Sequence, residues 1–199
     1  MIKRASALPP RLAGMVDPLA ELLSSHRPQG AIETADVARI RELVGAVEDP
    51  WSRANPLHVT ASAVIVHPAS KRVLLRWHAR QQAWLQVGGH GDPGETDPID
   101  IALREGAEET GLPDLAPWPD GPRQDLVHAV IVSVPAKRDD PAHEHADLRF
   151  VLATDSPQDA RPERPDAPLR WLTFAEAHDT TAEDNLRETL ARVERMIIG

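Results

Sequence analysis

A glycine-rich turn running into a short helix crowded with like charge is hard to accommodate, and residues 88–112 carry one: GGHGDPGETDPIDIALREGAEETGL. Asp97-Pro98 reads as a helix start, with Asp97 as N-cap and Pro98 in the first helical position. Thr110-Gly111 reads as its end. Ile99, Ala102, Leu103, Gly106 and Thr110 then form the inward face. Residues three and four apart on a helix share a side, so Glu105, Glu108 and Glu109 converge on one patch. Repulsion at that spacing costs roughly 0.2–0.5 kcal/mol per pair. The position near the helix C-terminus, where the dipole favours cations, adds to the cost. The pattern calls for positive charge. Arg104 supplies one, and a hard divalent cation held by oxygen ligands would supply the rest.

The remainder of the chain bounds what such a patch can belong to. A length of 199 residues allows one full domain with an appended helical piece. Nineteen prolines and 4% aromatic residues point to many loops around an aliphatic core. The net charge of −9 gives no support to a general nucleic-acid binder, which would show a basic stripe. With no cysteine, disulfides, thiolate metal sites and cysteine nucleophiles are all excluded, and every metal ligand must be oxygen or imidazole. The opening MIKRASALPPRLAGMVDP lacks a continuous apolar run, so no cleaved signal peptide is expected. No later segment is apolar enough for a membrane span, and cytoplasmic residence is the expectation.

Periodicity predicts helices over 17–25 and 33–47, the second with Val37, Ile40, Leu43, Val44 and Val47 at helical spacing. They form an N-terminal helical extension that, with a Pro-punctuated linker, occupies residues 1–56. Strand-like runs cover 58–66 and 72–77, joined by a turn as a hairpin. Further strands are expected over 126–134, 147–153 and 169–172, and a C-terminal helix over 182–198. Between them lie a loop carrying His143, Glu144 and His145 and a proline-punctuated loop, 156–168. Strands mixed with helices argue for an α/β fold with a mixed sheet covered on both faces, an α/β/α sandwich spanning 57–199.

The charged segment resembles the Nudix box. Gly89 and Glu95 have the spacing of its opening half, and Arg104, Glu105, Glu108, Glu109, Gly111 and Leu112 match its closing half. Two departures stand out: eight residues separate Glu95 from Arg104 where the family has seven, and Gly106 replaces an aliphatic residue. The extra residue falls most naturally at Thr96-Asp97, before the helix, which puts only the pairing of Glu95 with Arg104 in doubt. Val87 also stands where many members have proline.

The resemblance implies a Nudix-like α/β/α sandwich and hydrolysis of a nucleoside diphosphate linked to another moiety, by water attack at phosphorus assisted by Mg²⁺ or Mn²⁺. It implies Glu105, Glu108, Glu109 and the Gly88 carbonyl as metal ligands, with Arg104 and Glu95 orienting the glutamates. The general base is a carboxylate of the box, such as Glu108 or Glu105, or one from a later loop, for which Glu144 is the candidate. Arg76, Arg80 and Arg149 are available to phosphates, and Trp84, with Trp77, to a base by stacking. Each of these side chains equally suits a packing role. His143-x-His145 has the spacing of a metal pair but reads as solvent-exposed beside Asp139, Asp140 and Glu144. His90 reads as a turn residue.

Two other functions sit on the same fold. An enzyme similar to isopentenyl diphosphate isomerase would look for a cysteine, which is absent. A non-catalytic nucleotide-ligand sensor would be expected to lose box glutamates, which are present. Family members acting on dinucleoside polyphosphates tend to carry a tyrosine after the box, and this chain has none. Those acting on ADP-ribose tend to carry a proline where this sequence has Val127 and His128. The substrate therefore stays open among diphosphate derivatives. The N-terminal helices offer a surface for a homodimer.

Overall fold

The computed structural model describes residues 17–120, 125–137 and 141–199. Residues 1–16 of the opening segment, residues 121–124, and Asp139 and Asp140 lie outside the described residues. In chain order come α1 (Pro18–Ser25), α2 (Gly30–Ala46), β1 (Leu57–His67), β2 (Arg72–His78), β3 (Ala83–Leu85) and β4 (Val87–Gly89). Then follow α3 (Pro98–Thr110), β5 (Ala116–Pro117), β6 (His128–Val134), β7 (His143–Ala153), β8 (Leu169–Thr173), α4 (Phe174–Thr180) and α5 (Asp184–Ile198).

The eight strands form one mixed sheet. Its central pair, β1 with β7, is parallel over ten residues, and every other pairing is antiparallel. Strand β1 is shared along its length: its end, Ile65–His67, pairs with β2, while its middle, Ala61–Ala63, pairs with β4. That division brings the glycine turn to the centre of the sheet.

Strand alternation sends the odd residues of β1 to one face and the even ones to the other. Val59, Ala61, Ala63 and Ile65 pack with Ile101 and Ala102 of α3, Leu19 and Leu23 of α1, and Val37 and Ile40 of α2. Val64 and Val66 pack with Phe174 and Ala177 of α4 and with Leu186, Leu190 and Val193 of α5. The result is the expected α/β/α sandwich, with the two N-terminal helices built into one of its layers. Burying each of those four α1 and α2 side chains contributes roughly 1.5–3 kcal/mol. At Gly106 the space a side chain would take is filled by Leu115 and Leu152, whose methyls lie 3.1 and 3.4 Å from where a Cβ would stand.

Several elements differ from expectation: the short strands β3, β4 and β5 were not predicted, and α2 begins at Gly30 rather than at Glu33. Strand β7 begins at His143 rather than at Asp147, because parallel pairing with Leu57–Thr60 extends it. Helix α4 was not expected, although Thr173 and Glu176 form a reciprocal capping box at its start.

Candidate active site

Helix α3 starts as its sequence dictates: the Asp97 side chain accepts from the Ile99 N–H, and Pro98 needs no donor partner. Gly111 ends it in the left-handed conformation, its N–H on the Ala107 carbonyl. Because the inserted residue falls before this cap, the helical register of the four charged residues is kept.

Arg104 gathers the carboxylates. Its Nη2 donates to Glu95 at 2.9 Å, and its Nη1 to Glu105 at 3.0 Å and Glu108 at 3.1 Å. The pairing of Glu95 with Arg104 is thus made despite the insertion. Nη2 also donates to the His90 carbonyl at 2.9 Å, tying the helix to the turn. Glu95 in turn accepts from the Asp92 N–H. The Arg104 bond holds the Glu95 carboxyl below its usual range, and the same contact raises the guanidinium.

Glu109 lies one turn on, against the sheet. It accepts from the Gly88 N–H at 3.2 Å and faces Arg76 Nη1 at 3.0 Å. Burial pushes its carboxyl up to about 7, with Arg76 and the Gly88 N–H pulling the other way and Glu105 adding repulsion. Burial likewise raises Glu105, opposed by Arg104. Glu108 is the most open of the three, with 56% of its side chain exposed against 17% for Glu105 and 13% for Glu109.

The glycine turn is shaped around these groups. A Cβ on Gly89 would stand 2.7 Å from the Glu105 carboxylate carbon, and one on Gly88 would overlap Ser62. Only bare backbone fits between strand and carboxylate. Glu105 and Glu109, carboxylates partly desolvated on one stretch of α3, are oxygen donors of the kind that suits a hard divalent cation, although among the described residues the ligand atoms that already lie together are those of histidines.

The other candidates are distributed unevenly. Arg76 is nearly buried beside the cluster, its Nε without a hydrogen-bond partner among the described residues. Glu163 was not singled out from the sequence, yet its loop folds back onto α3. Its N–H donates to the Glu109 carbonyl at 3.3 Å, and its carboxylate stands 3.7 Å from Arg76 Nη2. No spacing rule foretells that return.

Two expectations are corrected, and Trp84 takes the packing role that was also left open to it. Glu144 is not on a loop beside the box. It sits on β7 opposite Leu57, four residues along β1 from the Ala61 that pairs with Gly89, roughly 13 Å at strand rise. There it forms an ion pair with Arg39 of α2 at 2.6 Å. Arg149 does not face phosphates. It is 1% exposed and bonds to Asp147 of its own strand at 2.8 Å and, on α5, to Thr189 at 2.9 Å and the Asn185 side chain at 2.8 Å. Trp84 is a direct cross-strand partner of Trp77, the rings 5.5 Å apart, and the Arg170 guanidinium lies 4.4 Å over it.

The histidines also differ from expectation. His143 and His145 are half-buried strand residues and meet His58 and His90 rather than open solvent. Burial, with Arg53 and the neighbouring rings, lowers His90 to about 3 and His145 to about 4.

The comparisons with known proteins agree with this architecture. The family model described as NUDIX domain matches residues 56–193. The chain belongs to the Nudix family. Its fold is similar to that of an Ap4A hydrolase from C. elegans in a binary complex, with a TM-score of 0.56 at 20% identity over 71% of this chain and 98% of that one. It is similar too to the dihydroneopterin triphosphate pyrophosphohydrolase of E. coli, with a TM-score of 0.53 at 22% identity over 72% and 96%. A NUDIX-family hydrolase from Clostridium perfringens gives 0.50 at 18% identity over 71% and 96%. No curated protein matches the chain in sequence. Among the described residues, no helix is long and apolar enough to cross a membrane.

Proposed function

We propose that this Nudix pyrophosphohydrolase cleaves the phosphoanhydride of a nucleoside diphosphate derivative by attack of water at phosphorus, at the carboxylates gathered by Arg104. The observation that carries the reading is that one guanidinium binds Glu95, Glu105 and Glu108 while Glu109 is held against Gly88 and Arg76.

Glu105, Glu108, Glu109 and the Gly88 carbonyl would hold Mg²⁺ or Mn²⁺. Such an ion, when bound, offsets charge on non-bridging phosphate oxygens and acidifies water. The chain's own residues do the rest. Arg104 fixes the glutamates in one orientation, so their repulsion is met before substrate arrives. Arg76, cationic and nearly buried beside Glu109, is placed to meet a phosphate oxygen. Glu163 takes the part of the loop carboxylate that accepts a proton from the attacking water, the part expected of Glu144. The ligand set and the proton acceptor both rest on groups on α3 or in contact with it, whereas Glu144 pairs with Arg39 of α2. The partner is a small nucleotide or another diphosphate, since an acidic chain of this kind has no basic stripe for a polymer.

A panel of nucleoside diphosphate derivatives assayed with Mg²⁺ or Mn²⁺ tests the proposal, comparing the parent with Glu109→Gln. The expected result is turnover of at least one panel member, reduced about a hundredfold or more in the variant with its circular dichroism unchanged. Equal rates in the two proteins would overturn it.

A further inference from the structure

Four imidazoles meet at the beginnings of β1 and β7, on rings that none of the box glutamates is shown to bond. His58 and His145 are register partners across the parallel pair, and His143 precedes His145 by two residues on the same side of the strand. His90 follows β4 directly and brings its ring beside His58. By strand alternation His58, His143 and His145 point to the α5 side of the sheet, the side of Asp147 and Arg149, whereas α3 covers the other.

The ring nitrogens are aimed at one another. One ligand atom from each of His58, His143 and His145 lies within 4.8 Å of the others. The Nε2 atoms of His58 and His90 are 3.0 Å apart, and those of His143 and His145 are 3.2 Å apart. Two imidazoles bound tetrahedrally to one ion at 2.0–2.1 Å have nitrogens about 3.3 Å apart. The observed spacing is close to one edge of such a polyhedron.

Main-chain partners prepare the same nitrogens for a ligand role. The Nδ1 of His58 faces the Asn55 carbonyl at 2.9 Å, and that of His143 faces the Pro141 carbonyl at 2.8 Å. A carbonyl can only accept, so each Nδ1 carries the proton and each Nε2 of the neutral ring presents its lone pair. A histidine whose far nitrogen is fixed by a backbone carbonyl in this way is the usual form of a metal-bound imidazole.

We infer that His58, His143 and His145, with His90 lying against His58, form a site for a borderline divalent ion of the Zn²⁺ class, distinct in its ligands from the hard-cation site of the box. Neutral imidazole selects Zn²⁺, Cu²⁺ or Ni²⁺ over Mg²⁺, whereas the carboxylates of α3 have the opposite preference. An ion there would pin β1 to β7. Through His90, whose carbonyl already accepts from Arg104, it would also brace the glycine turn. The inference does not depend on the hydrolytic reading, since no box carboxylate belongs to the site.

Untagged protein stripped by a chelator and then saturated with Mg²⁺ is titrated with Co²⁺ and, separately, with Zn²⁺. The expected result is one equivalent of Co²⁺ giving visible absorption bands that Zn²⁺ abolishes, and a Zn²⁺-dependent rise in Tm. His143→Gln and His145→Gln should each weaken Zn²⁺ binding by more than about tenfold, the scale set by loss of even an outer partner. Glu105→Gln should leave it unchanged. Absence of the bands in the parent protein, equal Zn²⁺ affinity in the histidine variants, or loss of Zn²⁺ binding in Glu105→Gln would each overturn the site. The parent measurement decides the matter even where a histidine variant does not fold.

Discussion

Arg192 of α5 and Glu33 of α2 form an ion pair at 2.8 Å in which the side chains are 4% and 1% exposed. Burial raises the Glu33 carboxyl, but the Gln29 N–H, the Ala129 N–H at 3.0 Å, Arg192 and His26 together hold it down to about 2. The pair ties the N-terminal helices to the sheet and to the last helix. Removing Arg192 leaves Glu33 buried without its guanidinium, held by His26 and two N–H groups, and breaking a buried pair costs about 3–5 kcal/mol. Arg192→Met should therefore lower the unfolding free energy by about 3 kcal/mol in urea titration. A loss under about 1 kcal/mol would show that the helices are held by apolar packing alone.

A paired set of variants separates the loop carboxylate Glu163 from the strand carboxylate Glu144. Glu163→Gln should reduce kcat about tenfold or more, the lower range for loss of a positioned base. Glu144→Gln, which breaks only the half-exposed contact with Arg39, should leave kcat within about twofold and cost at most about 1 kcal/mol of stability. The reverse order in steady-state kinetics would return the role to Glu144.

At Gly89 the expectation is steric. Gly89→Ala places a methyl 2.7 Å from the Glu105 carboxylate carbon, so the carboxylate must swing away from Arg104. Affinity for Mn²⁺ should fall by about tenfold or more, read by titration calorimetry. The pairing of β4 with β1 should survive, since Ala fits a strand.

A pH effect follows from His128. Burial, with Arg192 and Arg149 nearby, lowers this ring from the ordinary 6.5 to about 3. Above pH 6.5 neither folded nor unfolded chain protonates it, and its contribution to stability is constant. Below that the unfolded chain takes up a proton that the folded one refuses, so stability falls with acidification by up to about 1.4 kcal/mol per pH unit. His128→Gln should flatten the profile between pH 6.5 and 4.5, above the range in which Glu33 contributes, in chelator-treated protein. Parallel profiles for parent and variant would contradict the assignment.

What could be read from the sequence was local. The Asp97-Pro98 cap, the glycine stop and the face shared by Glu105, Glu108 and Glu109 all follow from spacing within one helix. The reach of Arg104 to Glu95 crosses from the helix to the turn before it, so it was the pairing the insertion put in doubt, and it is made nonetheless. Ile101 is fully buried and Ile99 only partly, so even the inward face is turned slightly from the one expected. What was hidden was set by pairing across long stretches of chain. The loop expected around Glu144 is strand because β1 lies beside it, and alternation then sends Glu144 toward Arg39 while His143 and His145 turn to the other face. Asp147 and Arg149, two apart on that strand, satisfy each other instead of a ligand. The imidazole cluster draws on three separate segments and becomes visible only once β1, β4 and β7 are placed. Helix α4 did have a signal, the Thr173-x-x-Glu176 box, ahead of too short a run to stand out.

The parallel ladder of β1 and β7 has a consequence for how the chain is made. Thr60 and Asp147 are 87 positions apart, and these neighbours form the middle of the sheet. A nascent chain emerging from the ribosome must hold β1 without its central partner until most of the sequence has been synthesised. Local hairpins can close early, but the last large gain in order waits for the distant strand. Newly made chains should therefore pass through a window in which an apolar strand edge is open to association, and chaperone dependence should be greatest there.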